Sequence, residues 1–272
     1  MEKKVVLITG CSSGLGLHTA RRAAAAGHIT YAGLRELSEA RELPEAPEDQ
    51  DIRWLQLDIT RASDRKQALE RILSEQDRLD ALVNNAGVMM AGFLEQVEED
   101  ELRQVFEVNF FSTWSLTRLM LPALRRSRGI VLNFSSLSGL RAFPGLGAYA
   151  ASKFALEGMS EALSQEVKPF GVRVALIEPG TYATKIWNEN ATTCRASTEQ
   201  GTLYTDMNPK LDATLKRNGT RDPGDPSDIA EKVLELIASE RPPLRNLMYG
   251  NRGSRIIFQR MHRQMAYTLD DE

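Results

Sequence analysis

Short apolar runs alternate with longer stretches of helical period along most of the chain. Val5-Val6-Leu7-Ile8 has no polar position, as in a strand buried on both faces. Leu17, Ala20 and Ala23 to Ala26 follow at helical spacing, and Gly27 marks the end of that helix. Further strands are predicted over 29–34, 52–57, 79–83, 129–134 and 172–177. Helices are predicted over 62–76, 102–126 and 147–167, with Pro122 a kink or break near the end of the second. Repeated strand–helix alternation predicts an α/β fold, a doubly wound parallel sheet flanked by helices on both faces. No linker precedes Pro179 and no internal repeat is visible, so 1–272 is expected to form a single domain.

The pattern changes at 181–225, which is polar, weakly periodic and rich in Thr, Asn and Asp. A stretch of this length and character is expected to act as a lid or binding loop. Pro226-Ser227-Asp228 then opens a helix through Ile229, Val233, Leu236 and Ile237, and 244–249 is a candidate last strand. In the tail, 251–272, the stretch from Arg252 to Met265 mixes Arg with Ile, Phe and Met, as in an amphipathic helix packed on the body or on a partner.

The length, 272 residues, and the hydrophobic share, 42%, allow a sizeable core. A formal net charge of −3 gives no reason to expect nucleic acid as a partner. Two cysteines suit a reducing cytoplasm better than a disulfide framework, and the run Val5–Ile8 is too short for a signal segment or a membrane span. His18, His28 and His262 lack ligand spacing, so no metal site is expected. Cys11 has no basic neighbour in sequence and reads as a small loop residue rather than a nucleophile.

Candidate chemistry begins directly after the first strand, at Thr9-Gly10-Cys11-Ser12-Ser13-Gly14-Leu15-Gly16. Glycines let a backbone approach a phosphate, and the N-terminus of the helix behind them presents free N–H groups. A glycine-rich turn between first strand and first helix favours a dinucleotide over a plain tight turn. The second strand ends at Leu34-Arg35, where a carboxylate would read a free ribose 2′-hydroxyl. A guanidinium there suits a 2′-phosphate and favours NADP(H) over NAD(H), the alternative being an ordinary surface arginine. On the helix predicted over 147–167, Tyr149 and Lys153 stand four apart and leave the same face. A cation beside a phenol favours the phenolate and suits the pair to carbonyl–alcohol proton transfer.

These motifs, together with Asp58, Asn84-Asn85-Ala86-Gly87, Asn109, Ser136 and Pro179-Gly180, occur in the order found in the short-chain dehydrogenase/reductase family. The chain resembles that family's single-domain branch over residues 5–184, and more weakly its hydroxysteroid and retinol dehydrogenase-like members. The resemblance implies a Rossmann-type sheet and an NADP(H)-dependent hydride transfer between nicotinamide and a ketone or secondary alcohol. It implies Tyr149 as general acid or base, Lys153 as its pKa-lowering partner and ribose contact, and Ser136 as holder of the substrate oxygen. Asn109 would anchor a water linking Lys153 to solvent.

Cofactor contacts are implied at Gly10, Ser12, Ser13, Gly14, Leu15, Gly16, Arg35, Asp58, Ile59, Asn85, Ala86, Gly87, Tyr149, Lys153, Pro179, Gly180 and Thr184. The alternative for Asp58 is a cap for the helix after Thr60. Ser135 and Ser136 should point to opposite sides of their strand end, with the family spacing selecting Ser136. The resemblance also implies a homo-oligomer, dimer or tetramer, joined through 102–126 and 147–167. Phe106, Phe110, Trp114 and Met120 are expected in the core or at that interface. Met89, Met90, Phe93, Leu140, Phe143, Tyr182 and Trp187 offer an apolar wall for a lipophilic substrate, or cover the core. A cofactor-binding regulatory protein without chemistry, and a nucleotide-sugar epimerase or dehydratase, are the competing readings. The full set Asn109, Ser136, Tyr149 and Lys153 argues against the first, and the glycine spacing and short C-terminal region against the second.

Overall fold

The computed structural model describes residues 2–184, 191–199, 201–220, 222–256 and 259. Seven strands make one parallel sheet: β1 (Val5–Ile8), β2 (Ile29–Leu34), β3 (Ile52–Gln56), β4 (Ala81–Asn84), β6 (Ile130–Phe134), β7 (Arg173–Pro179) and β9 (Arg245–Met248). Their order is β3-β2-β1-β4-β6-β7-β9, so the chain winds outward in one direction from β1 and then in the other from β4. The crevice at the carboxyl ends of β1 and β4 is therefore the topological switch point, where such sheets bind ligands.

Strand alternation explains the two-sided core. Val6 and Ile8 face one side, where α1 (Gly14–Ala25) and α7 (Pro226–Ala238) pack through Ala20, Ala23, Ile229 and Val233. Val5 and Leu7 face the other, against α2 (Ala62–Gln76), α4 (Thr113–Ser127) and α5 (Gly147–Val167), through Ile72, Leu116, Met120 and Val167. Each fully buried Leu or Ile contributes about 1.5–3 kcal/mol, which makes these two layers the main source of cohesion. Pro226 opens α7 as expected, and the Asp225 carboxylate caps it by accepting from the Ser227 N–H at 2.9 Å.

The third helical stretch departs from its prediction. It begins at Glu99 with α3 (Glu99–Phe106), passes through a π turn over Glu107–Ser112, and continues as α4 without a break at Pro122. A π turn adds one residue to the helical repeat without changing the apolar pattern enough to be seen in sequence.

Residues 181–225 hold regular elements that their weak period does not signal. Those described include β8 (Ala191–Thr193), which pairs in parallel with β5 (Met89–Ala91), and α6 (Asn208–Thr220). Leu211 and Leu215 are the α6 side chains that pack inward, too few to give a helical period. In the tail, residues 252–256 are helical, and most of the proposed amphipathic segment lies outside the described residues. Among the described residues no helix is long and apolar enough to cross a membrane, and no cluster of His, Cys, Asp and Glu could hold a metal ion.

Candidate active site

At the switch point the first loop folds back on itself. Gly10 and Gly14 take positive φ, +69° and +54°. A Cβ on Gly16 would stand 2.2 Å from the Gly10 carbonyl oxygen and 2.4 Å from the Asn85 side-chain nitrogen. Gly16 therefore serves close packing of α1 rather than ligand contact. The first turn of α1 contains no acidic residue, so its N-terminus keeps its positive end toward the crevice. Thr9 ties this loop to the next: its hydroxyl accepts from the backbone N–H of Asn85 and of Ala86, at 3.1 and 3.0 Å. The Asn85 amide donates back to the carbonyls of Thr9 and Gly10.

A cavity of about 610 Å³ opens there. Gly10, Ser12, Ser13, Gly14, Leu15, Arg35, Asp58, Ile59, Asn85, Ala86, Gly87, Tyr149, Lys153, Pro179, Gly180 and Thr184 all line it. Of the implied cofactor contacts only Gly16 does not. Sequence reasoning missed Val88, Gln104 and Thr192 on the same wall. Thr192 arrives through β8, whose pairing with β5 has no local signal. The cavity fits a dinucleotide: it pairs an open helix N-terminus at one end with buried Tyr149 and Lys153 at the other.

Asp58 forms a turn rather than capping α2, whose N-cap is Arg61. Its Oδ1 accepts from the Thr60 N–H and hydroxyl, at 3.0 and 2.7 Å. Burial pushes its carboxyl up, but those bonds and the Arg61 and Arg35 charges outweigh it and hold the group below the usual carboxylate range. Arg35 is 74% exposed at the cavity rim, 3.8 Å from Glu39.

The second cavity, about 860 Å³, lies beside the first and shares Ser136, Ser138, Pro179 and Gly180 with it. Phe93, Phe143, Leu146, Met207, Leu211 and Leu215 give it an apolar wall. Of the apolar wall expected from sequence, Phe93 and Phe143 belong here. Met89 and Tyr182 line the first cavity instead. Met90, on the opposite face of β5 from Met89, packs with Val105 and Cys194, and Leu140, at the end of a short 3-10 turn, packs on Leu137. Trp187 lies outside the described residues.

On the wall of the first cavity, Tyr149 and Lys153 project from α5 and are both buried. The Lys153 ammonium donates to the Phe134 carbonyl at 2.7 Å and stands 5.8 Å from the centre of the Tyr149 ring. Burial pushes the Tyr149 phenol up to about 12, partly offset by its hydrogen bond with Ser136. Burial also pushes Lys153 down to about 8, partly offset by the Glu157 charge. The direction for the phenol is thus opposite to the depression expected from sequence, because burial is the larger cause in the protein alone. Ser136 accepts from the Ser138 N–H at 3.0 Å. Ser135 turns the other way, toward Glu157, as strand alternation requires.

Asn109 sits in the π turn and is fully buried. Its Oδ1 accepts from the Val88 N–H, and its Nδ2 donates to the Val88 carbonyl and to the Ser152 hydroxyl, at 2.9, 2.9 and 3.0 Å. Cys11 is buried, with its thiol donating to the Ile8 carbonyl and its pKa raised by burial, so it is a packing residue.

The family sequence profile described as short chain dehydrogenase matches residues 4–195. The chain is 36% identical over 250 residues to 3-ketodihydrosphingosine reductase of Bacteroides thetaiotaomicron, covering 90% of this chain and 87% of that one. A short-chain dehydrogenase from Streptomyces avermitilis superposes with a TM-score of 0.85 at 31% identity, covering 99% of this chain and 96% of that one. A 3-ketoacyl-(acyl-carrier-protein) reductase from Brucella melitensis, solved with NADH, superposes with a TM-score of 0.73 at 26% identity, covering 91% and 96%.

Proposed function

The chain belongs to the short-chain dehydrogenase family, and on that premise we propose that it is an NADP(H)-dependent oxidoreductase acting between a lipophilic ketone and its secondary alcohol. The observation that carries this reading is the place of Ser136, on the boundary of both cavities and hydrogen-bonded to Tyr149. A carbonyl reaching that boundary from the apolar side meets two hydroxyls, and the carbon it presents faces the dinucleotide side.

Bound nicotinamide supplies the hydride in reduction and takes it up in oxidation. The residues do the rest. Ser136, already accepting from Ser138, has its own proton free to donate to the substrate oxygen. Tyr149 gives its proton to that oxygen as charge grows on it, and takes one back in the reverse direction. Lys153 stabilises the phenolate left behind. Asn109 fixes the Val88 backbone and keeps a second Oδ1 lone pair on the Gly87 side, suited to holding a water between Lys153 and solvent.

The apolar Leu34 at the position where a carboxylate would read the ribose, and Arg35 at the rim, support NADP(H), whose reduced cellular pool favours the reductive direction. The size and apolar wall of the second cavity support a lipophilic substrate, with α6 as part of its lid. The name of the Bacteroides relative, 3-ketodihydrosphingosine reductase, agrees with a ketone substrate. Phe111, Trp114 and Phe154 lie exposed on the paired long helices and support a homo-oligomer, and the two buried free thiols support a cytoplasmic setting. An NADPH-oxidation screen over ketones and aldehydes, including steroids, retinoids, polyketides and long-chain keto compounds, tests the reading. Cofactor binding with no turnover across the panel would favour the regulatory protein instead.

A further inference from the structure

Behind Lys153 lies a cluster of charge for which hydride transfer gives no direct use. Glu157, one turn further along α5, is 4% exposed, and Glu178, on β7 next to Pro179, is 0% exposed. Glu157 Oε2 accepts from the Arg245 guanidinium at 3.2 Å, and the same guanidinium reaches Glu161 at 2.6 Å. Glu178 Oε2 accepts from the Asn246 N–H at 2.6 Å. The other oxygen of each carboxyl, Glu157 Oε1 and Glu178 Oε1, is buried with no hydrogen-bond partner among the described residues. Ser135 Oγ is buried beside the Glu157 side chain at Gly139, and it too has no hydrogen-bond partner among the described residues.

Two acceptor-only carboxylates with orphaned oxygens inside one packed layer would cost several kcal/mol and repel each other. One added proton removes both faults. A carboxyl that keeps its proton can give a hydrogen bond to a neighbouring carboxylate.

We propose that Glu178 is protonated in the folded protein and donates toward Glu157 Oε1, and that Glu157, so held, is the positioning residue whose charge keeps Lys153 an ammonium at the phenol. The groups facing the pair agree. From α5 come Lys153 and Glu161, from β9 Arg245, and from β7 Glu178 itself. Burial pushes the Glu157 carboxyl up as well, but Arg245 at 3.2 Å and Lys153 one turn away on α5 oppose that shift. They favour its ionised form over that of Glu178, which makes no ion pair among the described residues. Burial pushes Glu178 up to about 8, and the Glu157 charge adds to it. Glu157 in turn is the opposite charge that resists the dehydration of Lys153. The catalytic consequence rests on the acid–base reading of Tyr149 and Lys153, whereas the shared proton does not.

The test therefore starts without substrate. Infrared spectra at neutral pH should show a protonated carboxylic acid that disappears in Glu178→Gln; no such band, or one that survives the substitution, overturns the shared proton. The Lys153 ammonium, labelled and assigned by Lys153→Arg, is then titrated by NMR. Glu157→Gln should move its titration to lower pH by about one unit or more. Glu178→Gln, whose amide both accepts from Asn246 and donates to Glu157, should leave it close to that of the parent protein. An unmoved titration in Glu157→Gln, or an equal shift in Glu178→Gln, overturns the positioning role. With an active substrate in hand, the alkaline limb of kcat/KM should follow the same order. Lack of turnover in the parent protein would sink the functional reading and leave the carboxyl pair to be judged by its spectra.

Discussion

Asn109 Oδ1 and Lys153 Nζ converge on one side of Gly87, at 3.2 and 3.6 Å from the point where a Cβ on that glycine would stand. The two polar atoms come from different helices and share a gap that a hydrogen atom leaves open. A methyl group placed there would divide them and press first on Asn109. Gly87→Ala is expected to cost less than about 1.5 kcal/mol of stability, since the backbone there is not left-handed. It should nevertheless lower kcat about tenfold to a hundredfold by blocking proton exchange at Lys153. Parallel kcat and thermal-melt measurements check this; turnover equal to the parent enzyme would remove the relay from the mechanism.

Tyr149→Phe removes the proton donor and little else, since the ring stays packed against Met89, Leu146 and Leu215. Turnover should fall about 10²–10⁴-fold while NADPH affinity, measured by fluorescence titration, stays within a few-fold. Comparable turnover with an authentic substrate would assign the proton to another group.

Much of this was legible because each strand end carries its own local signature. The glycine loop, Asn85, Ser136 and the Tyr149–Lys153 pair lie within a few residues of apolar runs that can only be buried strands or their helices. The illegible parts depend on long-range geometry. The π turn that aims Asn109 leaves no trace in the apolar period. Thr192 reaches the cofactor cavity by way of the β5–β8 pairing across more than a third of the chain. The upward shift of Tyr149 follows from how completely the surrounding elements exclude water, and no spacing between two residues encodes that.

Arg35 is an exposed side chain on the cavity rim, 3.8 Å from Glu39 and acting on Asp58 only through its charge, so its loss should leave the fold intact. A charge-assisted bond to a 2′-phosphate is worth about 1.5–3 kcal/mol, or roughly 10- to 100-fold in affinity. Arg35→Ala is therefore expected to weaken NADPH by that factor and NADH by less than about threefold, as NADH has no group for it to hold. Isothermal titration with each cofactor separates the two; equal losses would refute the 2′-phosphate contact.

Glu178 and Lys153 give stability opposite slopes on either side of about pH 8. Folding raises the Glu178 pKa from 4.5 to about 8, so the folded state binds that proton more tightly than the unfolded chain. Its contribution is complete below about pH 4.5 and is lost as pH rises through 8. Folding lowers the Lys153 pKa from 10.5 to about 8, so its contribution is present above about 10.5 and lost as pH falls through 8. Urea midpoints between pH 5 and pH 8 should therefore decline in the parent protein and decline less in Glu178→Gln, which carries no titrating proton. At pH 8 that variant should melt higher, by roughly 2–4 °C for each kcal/mol of buried charge removed. Lys153→Met should flatten the rise from pH 8 to pH 10, before the buried Tyr149 and Tyr182 phenols, both pushed up to about 12, begin to oppose it. A Glu178→Gln curve parallel to that of the parent from pH 5 to 8 would mean that Glu178 titrates as an ordinary carboxylate despite its burial.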